Sequence, residues 1–279
     1  MFHRAIVRRP SANFDEGLTG ASLGAPDYAR AVEQHDAYCV ALGHCGLTLT
    51  RLDPDPRYPD STFIEDTAVL VDQCADDSKV IPKQRAILTR PGAASRTGEV
   101  AGVKEVLSEF CFEFHSIRET GTVDGGDICQ AGDHFFIGIS ARTNEEGGQQ
   151  LAQLLRSFGY TSSFVDIRAR NPKESVSTAS ASPGILHLKS GLAYLGDSRL
   201  VVIEPLAHRQ EFRDFDLIRA DAGEGYAANC VRINEYVLIA AGYRALEEKL
   251  RELGYKTIAL DMTEFQKMDG GLSCLSLRY

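Results

Sequence analysis

Apolar and polar positions follow a repeated order along this chain, in which strand-length apolar runs come before a segment with helical spacing. Runs rich in branched apolar residues are typical of buried β-strands, and they occur at residues 67–71, 85–90, 134–139, 199–204 and 230–242. Apolar residues with helical spacing occur at residues 27–46, 97–110, 144–159, 205–215 and 243–255. The pattern predicts a repeated unit of two strands, a helix and another strand.

The last helical segment has the pattern of an amphipathic surface helix. Leu246, Leu250 and Leu253 fall on one face of this helix. Gly254 follows them, and glycine is common just past a helix C-terminus. Residues 27–46 predict a second surface helix of the same kind, with apolar residues along one face.

Repeated units of roughly 45 to 60 residues are typical of propellers and other arrays. Five such units fit into residues 1–279, and they predict an α/β fold in which five ββαβ blades form a closed ring as one domain. Residues 171–184 interrupt the order, because they are rich in serine, alanine and proline and have no apolar period. We expect this segment to be a flexible surface insertion, either an ordinary loop or a flap beside a functional site.

The charge of the chain narrows the choice of partners. Among 279 residues, 39 are acidic and 30 basic, which gives a net charge of −9. This balance disfavours nucleic acids and anionic membranes as partners and fits a small cationic molecule better. Since no apolar stretch approaches the length of about 18 residues that spans a membrane, we expect a soluble, cytoplasmic protein.

Seven cysteines are present without a C-x-x-C pair, which disfavours both a disulfide framework and a structural zinc site. Cys39, Cys111, Cys129 and Cys230 lie in apolar surroundings and are interpreted as small buried residues. Cys274 differs because it follows two glycines and a serine in MDGGLSC, where the backbone can approach a ligand closely. It is a candidate nucleophile, although a buried structural thiol is an equally good interpretation at this point.

Three further motifs carry groups that could act with a thiol. They are DSTFIED, TVDGGD and LHLKS, and their side chains are Asp60, Glu65, Asp66, Asp124, Asp127 and His187. In a strand, Glu65 and Asp66 would point to opposite faces, so one carboxylate would point inward. Solvated turns and a hydrogen-bonded core histidine are the structural alternatives. Arg90 and Arg142 follow strands, where a guanidinium can bind a ligand carboxylate or simply face solvent.

The ordered motifs TFIED, LTRPGA, GTVDGGD, IGISARTN, LHLKSG, YAANC and DGGLSC resemble dimethylarginine dimethylaminohydrolase over nearly the whole chain. That family belongs to the penteins, in which five ββαβ blades enclose a central site. The resemblance implies hydrolysis of N-methylated L-arginine to L-citrulline and dimethylamine or methylamine, without a metal or organic cofactor. Residues 171–184 lie outside the resemblance.

The resemblance also implies roles for single residues. Cys274 would be the nucleophile, His187 the general acid and base, and Asp124 the carboxylate that orients the histidine, at a position where relatives have glutamate. The residues expected to bind the substrate are Leu18, Asp60, Glu65, Asp66, Arg90, Arg142 and Met268. The acidic residues among them would bind the guanidinium, the arginines the α-carboxylate, and the main-chain carbonyls of Leu18 and Met268 the α-amino group.

Other functions stay open at this stage. Arginine deiminases and amidinotransferases of the same superfamily have an aspartate two residues after the histidine, whereas this chain has Lys189 there. A non-catalytic pentein binding protein is a further alternative. Zinc could bind His187 and Cys274, where two ligands suit an inhibitory ion better than a structural one. The chain could be a monomer or a homodimer.

Overall fold

The computed structural model describes residues 1–71, 84–110, 113–168 and 185–279, so the predicted insertion at 171–184 and Cys111 lie outside the described residues. The α-helices of this part of the chain are α1 (Tyr28–His44), α2 (Glu99–Ser108), α3 (Glu145–Ser157), α4 (Arg244–Glu252) and the short α5 (Thr263–Gln266). Among the described residues, no helix combines the length and the apolar character needed to cross a membrane.

The strands are short and occur along the whole described chain. They are β1 (Arg4–Arg8), β2 (Thr48–Leu52), β3 (Ala68–Val71), β4 (Arg85–Leu88), β5 (Glu113–Ser116), β6 (Ile128–Ala131), β7 (His134–Ile139), β8 (Thr161–Asp166), β9 (Leu192–Tyr194), β10 (Arg199–Val202), β11 (Asp216–Arg219), β12 (Val231–Ile233), β13 (Tyr236–Ala240), β14 (Lys256–Leu260) and β15 (Leu277–Arg278).

In the described chain, these strands form five sheets of three strands, with the orders β15-β1-β2, β3-β4-β5, β6-β7-β8, β9-β10-β11 and β12-β13-β14. Each central strand pairs antiparallel with one neighbour and parallel with the other. Because a parallel pair needs a long crossover, α1, α2, α3 and α4 each connect the central strand of a sheet to its parallel neighbour. The predicted five-bladed ββαβ propeller is confirmed.

The first sheet joins the two ends of the chain. Strand β15 pairs antiparallel with β1, with Ala5 opposite Arg278 and Ile6 opposite Leu277. The remaining strand of this sheet, β2, pairs parallel with β1. One blade is therefore completed only when the C-terminal strand returns to the N-terminal one, which closes the ring.

The predicted helix at 205–215 is wrong. The crossover of the fourth unit consists of two 3₁₀ turns, Glu204–Leu206 and Gln210–Phe212. Leu206 and Phe212 are both fully buried, so these two apolar residues of the expected helix reach the core from two short turns instead.

The helices cover the sheets with their apolar faces. Leu246 and Leu250 of α4 are fully buried, while Leu253 is 42% exposed, so the predicted apolar face is one turn shorter than expected. Gly254 ends the helix with a φ of 90°, a conformation that glycine adopts without strain. Cys39, Cys129 and Cys230 are buried, in agreement with their interpretation as small core residues.

A short 3₁₀ turn precedes the edge strand that pairs antiparallel in each sheet. These turns are Ile64–Thr67, Gly125–Asp127, Leu188–Ser190, Gly225–Ala228 and Ser273–Leu275. Starting from Ser273–Leu275, each turn contacts the next one in the order of the blades. We call this set the central ring of turns, and it brings parts of five repeats together.

The aromatic core of the described chain gives a test of the fold. Phe136 in β7 is 1% exposed, and its ring lies 4.9 Å from that of Phe212 and 5.4 Å from that of Phe215. We expect Phe136→Ala to lower the free energy of unfolding by about 3–5 kcal/mol, because it removes these contacts and leaves a cavity. Phe164 in the adjacent strand β8 is 43% exposed and provides the matched control. Urea unfolding should show a clearly smaller loss for Phe164→Ala, and equal losses would contradict this packing.

Candidate active site

The central ring of turns holds the groups that sequence analysis singled out. Asp66 lies within the turn Ile64–Thr67, and Cys274 lies within Ser273–Leu275. Asp124 and His187 directly precede the turns of their own units. A thiol, an imidazole and two carboxylates, each from a similar position in a different repeat, thus lie together at the centre of the molecule.

A pocket opens onto this centre. It is lined by Leu18, Asp60, Phe63, Asp66, Arg96, Arg142, Leu186, His187, Met268, Asp269, Gly270 and Cys274. Its volume is about 30 Å³, which is room for about two water molecules. A larger ligand requires some of these side chains to move, and Leu18 is the 41% exposed member of the lining.

His187 is held by a buried carboxylate. Its Nε2 lies 3.0 Å from Asp124 Oδ2, so the shorter aspartate side chain still reaches the imidazole. Asp124 is positioned in turn by the amide N–H of Gly92, 2.8 Å from its Oδ1, and by its own N–H, which donates to Thr143 Oγ1. This arrangement fixes the orientation of the ring and leaves its Nδ1 for another partner.

The charge of His187 follows from its neighbours. Burial alone would lower the pKa of the imidazole, but the nearby carboxylates of Asp66, Asp124 and Asp127 outweigh burial and raise this pKa to about 9. His187 is therefore an imidazolium at neutral pH. The charged His187 ring can therefore act first as a proton donor and, once neutral, as a proton acceptor.

Asp66 is an ionised carboxylate at the wall of the pocket. Its Oδ2 accepts a hydrogen bond from Arg96 Nη1 at 2.6 Å, and its Oδ1 accepts one from the N–H of Gly126 at 2.8 Å. Burial would raise the pKa of Asp66, but the positive charges of His187 and Arg96 lower it to about 2. Asp66 is thus a buried, ionised carboxylate at the wall of the pocket, where it can bind a cationic ligand.

Sequence reasoning missed Arg96. Its guanidinium is buried between Asp66 and Glu99, with Nη2 2.9 Å from Glu99 Oε2 and Nε 3.0 Å from Glu99 Oε1. Burial raises the pKa of Glu99 to about 7 despite this pairing. The only signal in the sequence is the spacing of Arg96 and Glu99 in SRTGE, which is also common on solvent-exposed helix starts.

Cys274 lies in the pocket as a thiol that resists ionisation. Burial, followed by the negative charges of Glu65 and Asp66, raises the pKa of Cys274 above its usual range. A thiol is a poor nucleophile compared with its thiolate. Cys274 therefore needs a positive charge nearby before it can attack.

Glu65 does not line the pocket that Asp66 lines, and both residues lie in a 3₁₀ turn rather than in the strand considered from the sequence. Its carboxylate lies 2.6 Å from Lys189 Nζ and 3.0 Å from Arg278 Nη2, and it accepts a hydrogen bond from Ser273 Oγ at 2.8 Å. Glu65 thus contacts the turn Ser273–Leu275, which carries Cys274, on the side away from the pocket.

The two predicted arginines have different locations. Arg142 lines the pocket, and its N–H donates to Ser140 Oγ, which itself donates to the buried Asp127. Arg90 lies outside the residues that line the pocket, is about one third exposed and has its Nη2 3.4 Å from Glu119 Oε1. The structure thus brings Arg142, and not Arg90, to the pocket.

Asp127 organises the same region through its other oxygen, which accepts the N–H of Leu188 at 2.9 Å. It does not pair with the His187 side chain, which bonds Asp124. In the described residues, one group of possible metal ligands consists of Asp66, Asp124 and His187, whose donor atoms lie within 4.8 Å of one another. A cation there would compete with the proton of His187 and with the nearby Arg96 guanidinium. Zinc binding by His187 and Cys274 stays a prediction.

The titration of His187 tests this electrostatic arrangement. Because Asp124 raises the pKa of His187, Asp124→Asn should lower that pKa below about 9, so that the ring loses its proton at a lower pH. Nuclear magnetic resonance of the histidine ring nitrogens measures the change directly. Asp214→Asn, at an aspartate with an 82% exposed side chain, is the control and should leave the titration of His187 in place. An unchanged titration in Asp124→Asn would contradict the assigned pairing.

Comparison with known proteins places the chain among characterised relatives. No family model matches the chain. It is 42% identical over 280 residues to N(G),N(G)-dimethylarginine dimethylaminohydrolase from Pseudomonas aeruginosa, covering 100% of both chains. It is 34% identical over 278 residues to the protein of the same name from Streptomyces coelicolor, covering 99% of this chain and 96% of that relative.

Solved structures agree with this relationship. A mutant of the Pseudomonas aeruginosa dimethylaminohydrolase in complex with citrulline superposes with a TM-score of 0.88 at 41% identity, covering 100% of both chains. The N-terminal domain of ArgZ, an arginine dihydrolase of cyanobacteria, superposes with a TM-score of 0.77 at 20% identity, covering 100% of this chain and 97% of that one, and this likeness shows the fold alone. The full-length similarity and the agreement in fold show that the chain belongs to the dimethylarginine dimethylaminohydrolase family.

Proposed function

We propose that this chain hydrolyses asymmetric dimethylarginine and monomethylarginine to L-citrulline and dimethylamine or methylamine, with Cys274 as a covalent nucleophile. The observation that carries the proposal is the pocket in which Cys274, the imidazolium of His187 and the ionised Asp66 meet. A thiol, a proton donor and an anion are the groups required to attack and split a guanidinium. Membership of the dimethylaminohydrolase family supports the same reaction.

Binding follows from charges at the pocket wall. We assign the guanidinium to Asp66 and the α-carboxylate to Arg142, and the main-chain carbonyls of Leu18 and Met268 to the α-amino group. All four residues line the pocket. Asp60 accepts the N–H of Leu18 with both carboxylate oxygens, at 3.0 and 3.2 Å, and would thereby hold the Leu18 segment over the substrate.

The roles of Glu65 and Arg90 are assigned differently from the sequence expectation. Glu65 supports the Cys274 turn and contributes negative charge to the site from behind. Arg90 lies outside the pocket lining, and we assign it no direct contact with the substrate. The carboxyl end of the substrate would therefore depend on Arg142.

The first half of the reaction forms the covalent intermediate. The substrate cation lowers the pKa of the neighbouring Cys274 thiol, the thiol releases its proton to solvent, and the thiolate then attacks the guanidinium carbon. A carbon–sulfur bond forms, the bond from that carbon to the methylated nitrogen breaks, and His187 gives its proton to the departing amine. The product on the protein is an S-alkylthiouronium at Cys274.

The second half releases citrulline. His187, now neutral, takes a proton from a water molecule as that water attacks the thiouronium carbon. The carbon–sulfur bond then breaks, and the sulfur of Cys274 is restored. Asp124 keeps the imidazole oriented in both halves and stabilises its charged form, since it bonds the ring nitrogen opposite the reacting one.

Location and assembly stay predictions of the sequence. We expect the protein in the cytoplasm, as a monomer or a homodimer, with a small cationic amino acid as its partner. The family relationship supports the amino-acid substrate.

Binding and chemistry can be separated by substitution. Arg142→Ala should raise KM about tenfold or more with a smaller change in kcat, because it removes a charge-assisted hydrogen bond to the substrate carboxylate. Asp124→Asn should instead lower kcat by about 10²–10⁴-fold, because His187 loses its orientation and basicity. Arg90→Ala is the matched arginine control and should leave KM within about threefold. A large rise in KM for Arg90→Ala would instead show that Arg90 contributes to substrate binding.

Substrate choice tests the function itself. Lys189 is tied to Glu65 at 2.6 Å, so position 189 supplies a cation where arginine deiminases have an aspartate for the guanidinium. Each N–H of unmethylated arginine left without a partner in the pocket costs about 1–3 kcal/mol. We expect asymmetric dimethylarginine and monomethylarginine to exceed arginine in kcat/KM by roughly tenfold or more. Symmetric dimethylarginine should be rejected, since one methyl group would face Asp66.

The measurement is citrulline release from these four compounds, with Cys274→Ser as the inactive control. Mass spectrometry of the quenched wild-type reaction should show an adduct on the Cys274 peptide. Arginine as the preferred substrate would support the deiminase function, and a serine variant with nearly full rate would remove Cys274 as the nucleophile.

A further inference from the structure

The fifth turn of the central ring leads to a residue that has no role so far. Gly225–Ala228 ends at Asn229, in the motif YAANC. The other four turns carry or adjoin Asp66, Asp124, His187 and Cys274. Asn229 is therefore the contribution of the fifth repeat to the centre of the molecule, although it does not line the pocket.

The side chain of Asn229 is buried and bonds two segments. Its Nδ2 donates to the carbonyl of Lys189 at 2.7 Å and to Ser273 Oγ at 3.0 Å. Its Oδ1 accepts the N–H of Ser273 at 3.0 Å. Lys189 lies two residues after His187, and Ser273 directly precedes Cys274. One amide thus connects the segment of the histidine to the segment of the thiol.

Packing leaves little freedom for this bridge. A Cβ added to Gly271 would lie 2.6 Å from Asn229 Cγ, so the backbone that leads to Cys274 rests directly on the amide. The partners of Asn229 also match an amide side chain specifically, because two of them accept hydrogen bonds from its NH₂ group and one donates to its oxygen. An aspartate of the same shape would place an oxygen against the Lys189 carbonyl.

We propose that Asn229 is a positioning residue that sets the separation between the Cys274 sulfur and the His187 ring. The inference rests on the proposed function, in which thiolate attack and proton transfer involve these two groups. Misplacement of reacting groups by about 1 Å can cost about 10²-fold in rate. The effect of Asn229 should therefore appear in kcat, since the residue does not touch the substrate.

The structure provides a matched control. Asn234 also makes three bonds through its side chain, donating to the carbonyls of Phe2 and Cys45 and accepting the N–H of Phe2. It connects segments outside the pocket. Asn229→Asp and Asn234→Asp remove the same kind of donor, so both should lower the melting temperature.

The expected kinetic result differs between the two variants. Asn229→Asp should lower kcat and the single-turnover rate of thiouronium formation by about 10²-fold, with KM within about threefold of wild type. Asn234→Asp should keep kcat within about twofold. A folded Asn229→Asp protein with near wild-type kcat, or an equal fall in kcat for Asn234→Asp, would overturn the proposal.

Two further measurements keep the result decisive. If the Asn229 variants do not fold, Ser273→Ala should lower kcat, because it removes one acceptor of Asn229 together with the Ser273 hydrogen bond to Glu65; unchanged kcat in this variant would count against the proposal. Crystal structures of Asn229→Ala and wild type, both without substrate, should show that the distance from Cys274 Sγ to the His187 ring changes in the variant. An unchanged distance counts against the proposal. Since this measurement needs no turnover, it separates failure of the positioning role from a wild type that forms no citrulline.

Discussion

Close contact between the 3₁₀ turns at the centre of the ring is the constraint on which the rest of the site depends. The turn Gly125–Asp127 lies so near its neighbours that Gly126 would place a Cβ 2.8 Å from His187 Nδ1, and Gly125 has no room for one beside the Glu65 carbonyl. The two glycines in TVDGGD are thus required by approach between blades as well as by turn geometry. Through this contact, Asp66 and Cys274, more than 200 positions apart in the sequence, come to share one pocket.

Burial of so many charges at this contact determines the chemistry. An isolated buried charge is costly, and the structure balances its carboxylates with cations from its own chain. Arg96 pairs with Asp66 on the pocket side, and Lys189 pairs with Glu65 behind the nucleophile. The balance leaves the pKa of the Cys274 thiol raised although the charge of Lys189 lowers it, so the proposed reaction needs the further positive charge of a bound substrate to favour the thiolate. Binding and activation of the nucleophile are then coupled.

The repeated strands could be predicted because apolar periodicity is a local property of the sequence. The roles of the candidate residues came from the family resemblance, because turn motifs alone left structural alternatives open. The helix expected at 205–215 is replaced by two 3₁₀ turns, because apolar spacing alone does not distinguish a continuous helix from two short turns that bury Leu206 and Phe212. Glu65 and Asp66 point to different sides, as expected, but in a 3₁₀ turn and not a strand, and the sequence alone did not show that Asp66 is the one that lines the pocket. Arg96 was not predicted because only the folded structure shows that Arg96 and Glu99 of SRTGE are buried.

The five repeats share one backbone arrangement at the centre, and different side chains on it give each repeat a different role in the site. The five turns occupy similar places in their blades, yet they carry or adjoin an aspartate that faces the pocket, an aspartate that holds an imidazole, the imidazole, an amide and a thiol. Only some of these groups line the pocket. Because each turn contacts the next, a side chain behind the pocket can control the position of one inside it. Asp127 does this from one side of His187 by bonding the Leu188 N–H, and Asn229 does it from the other side by bonding the Lys189 carbonyl. The segment of the histidine is therefore held by blades on both sides of its own, which explains why precision at the site depends on closure of the whole ring.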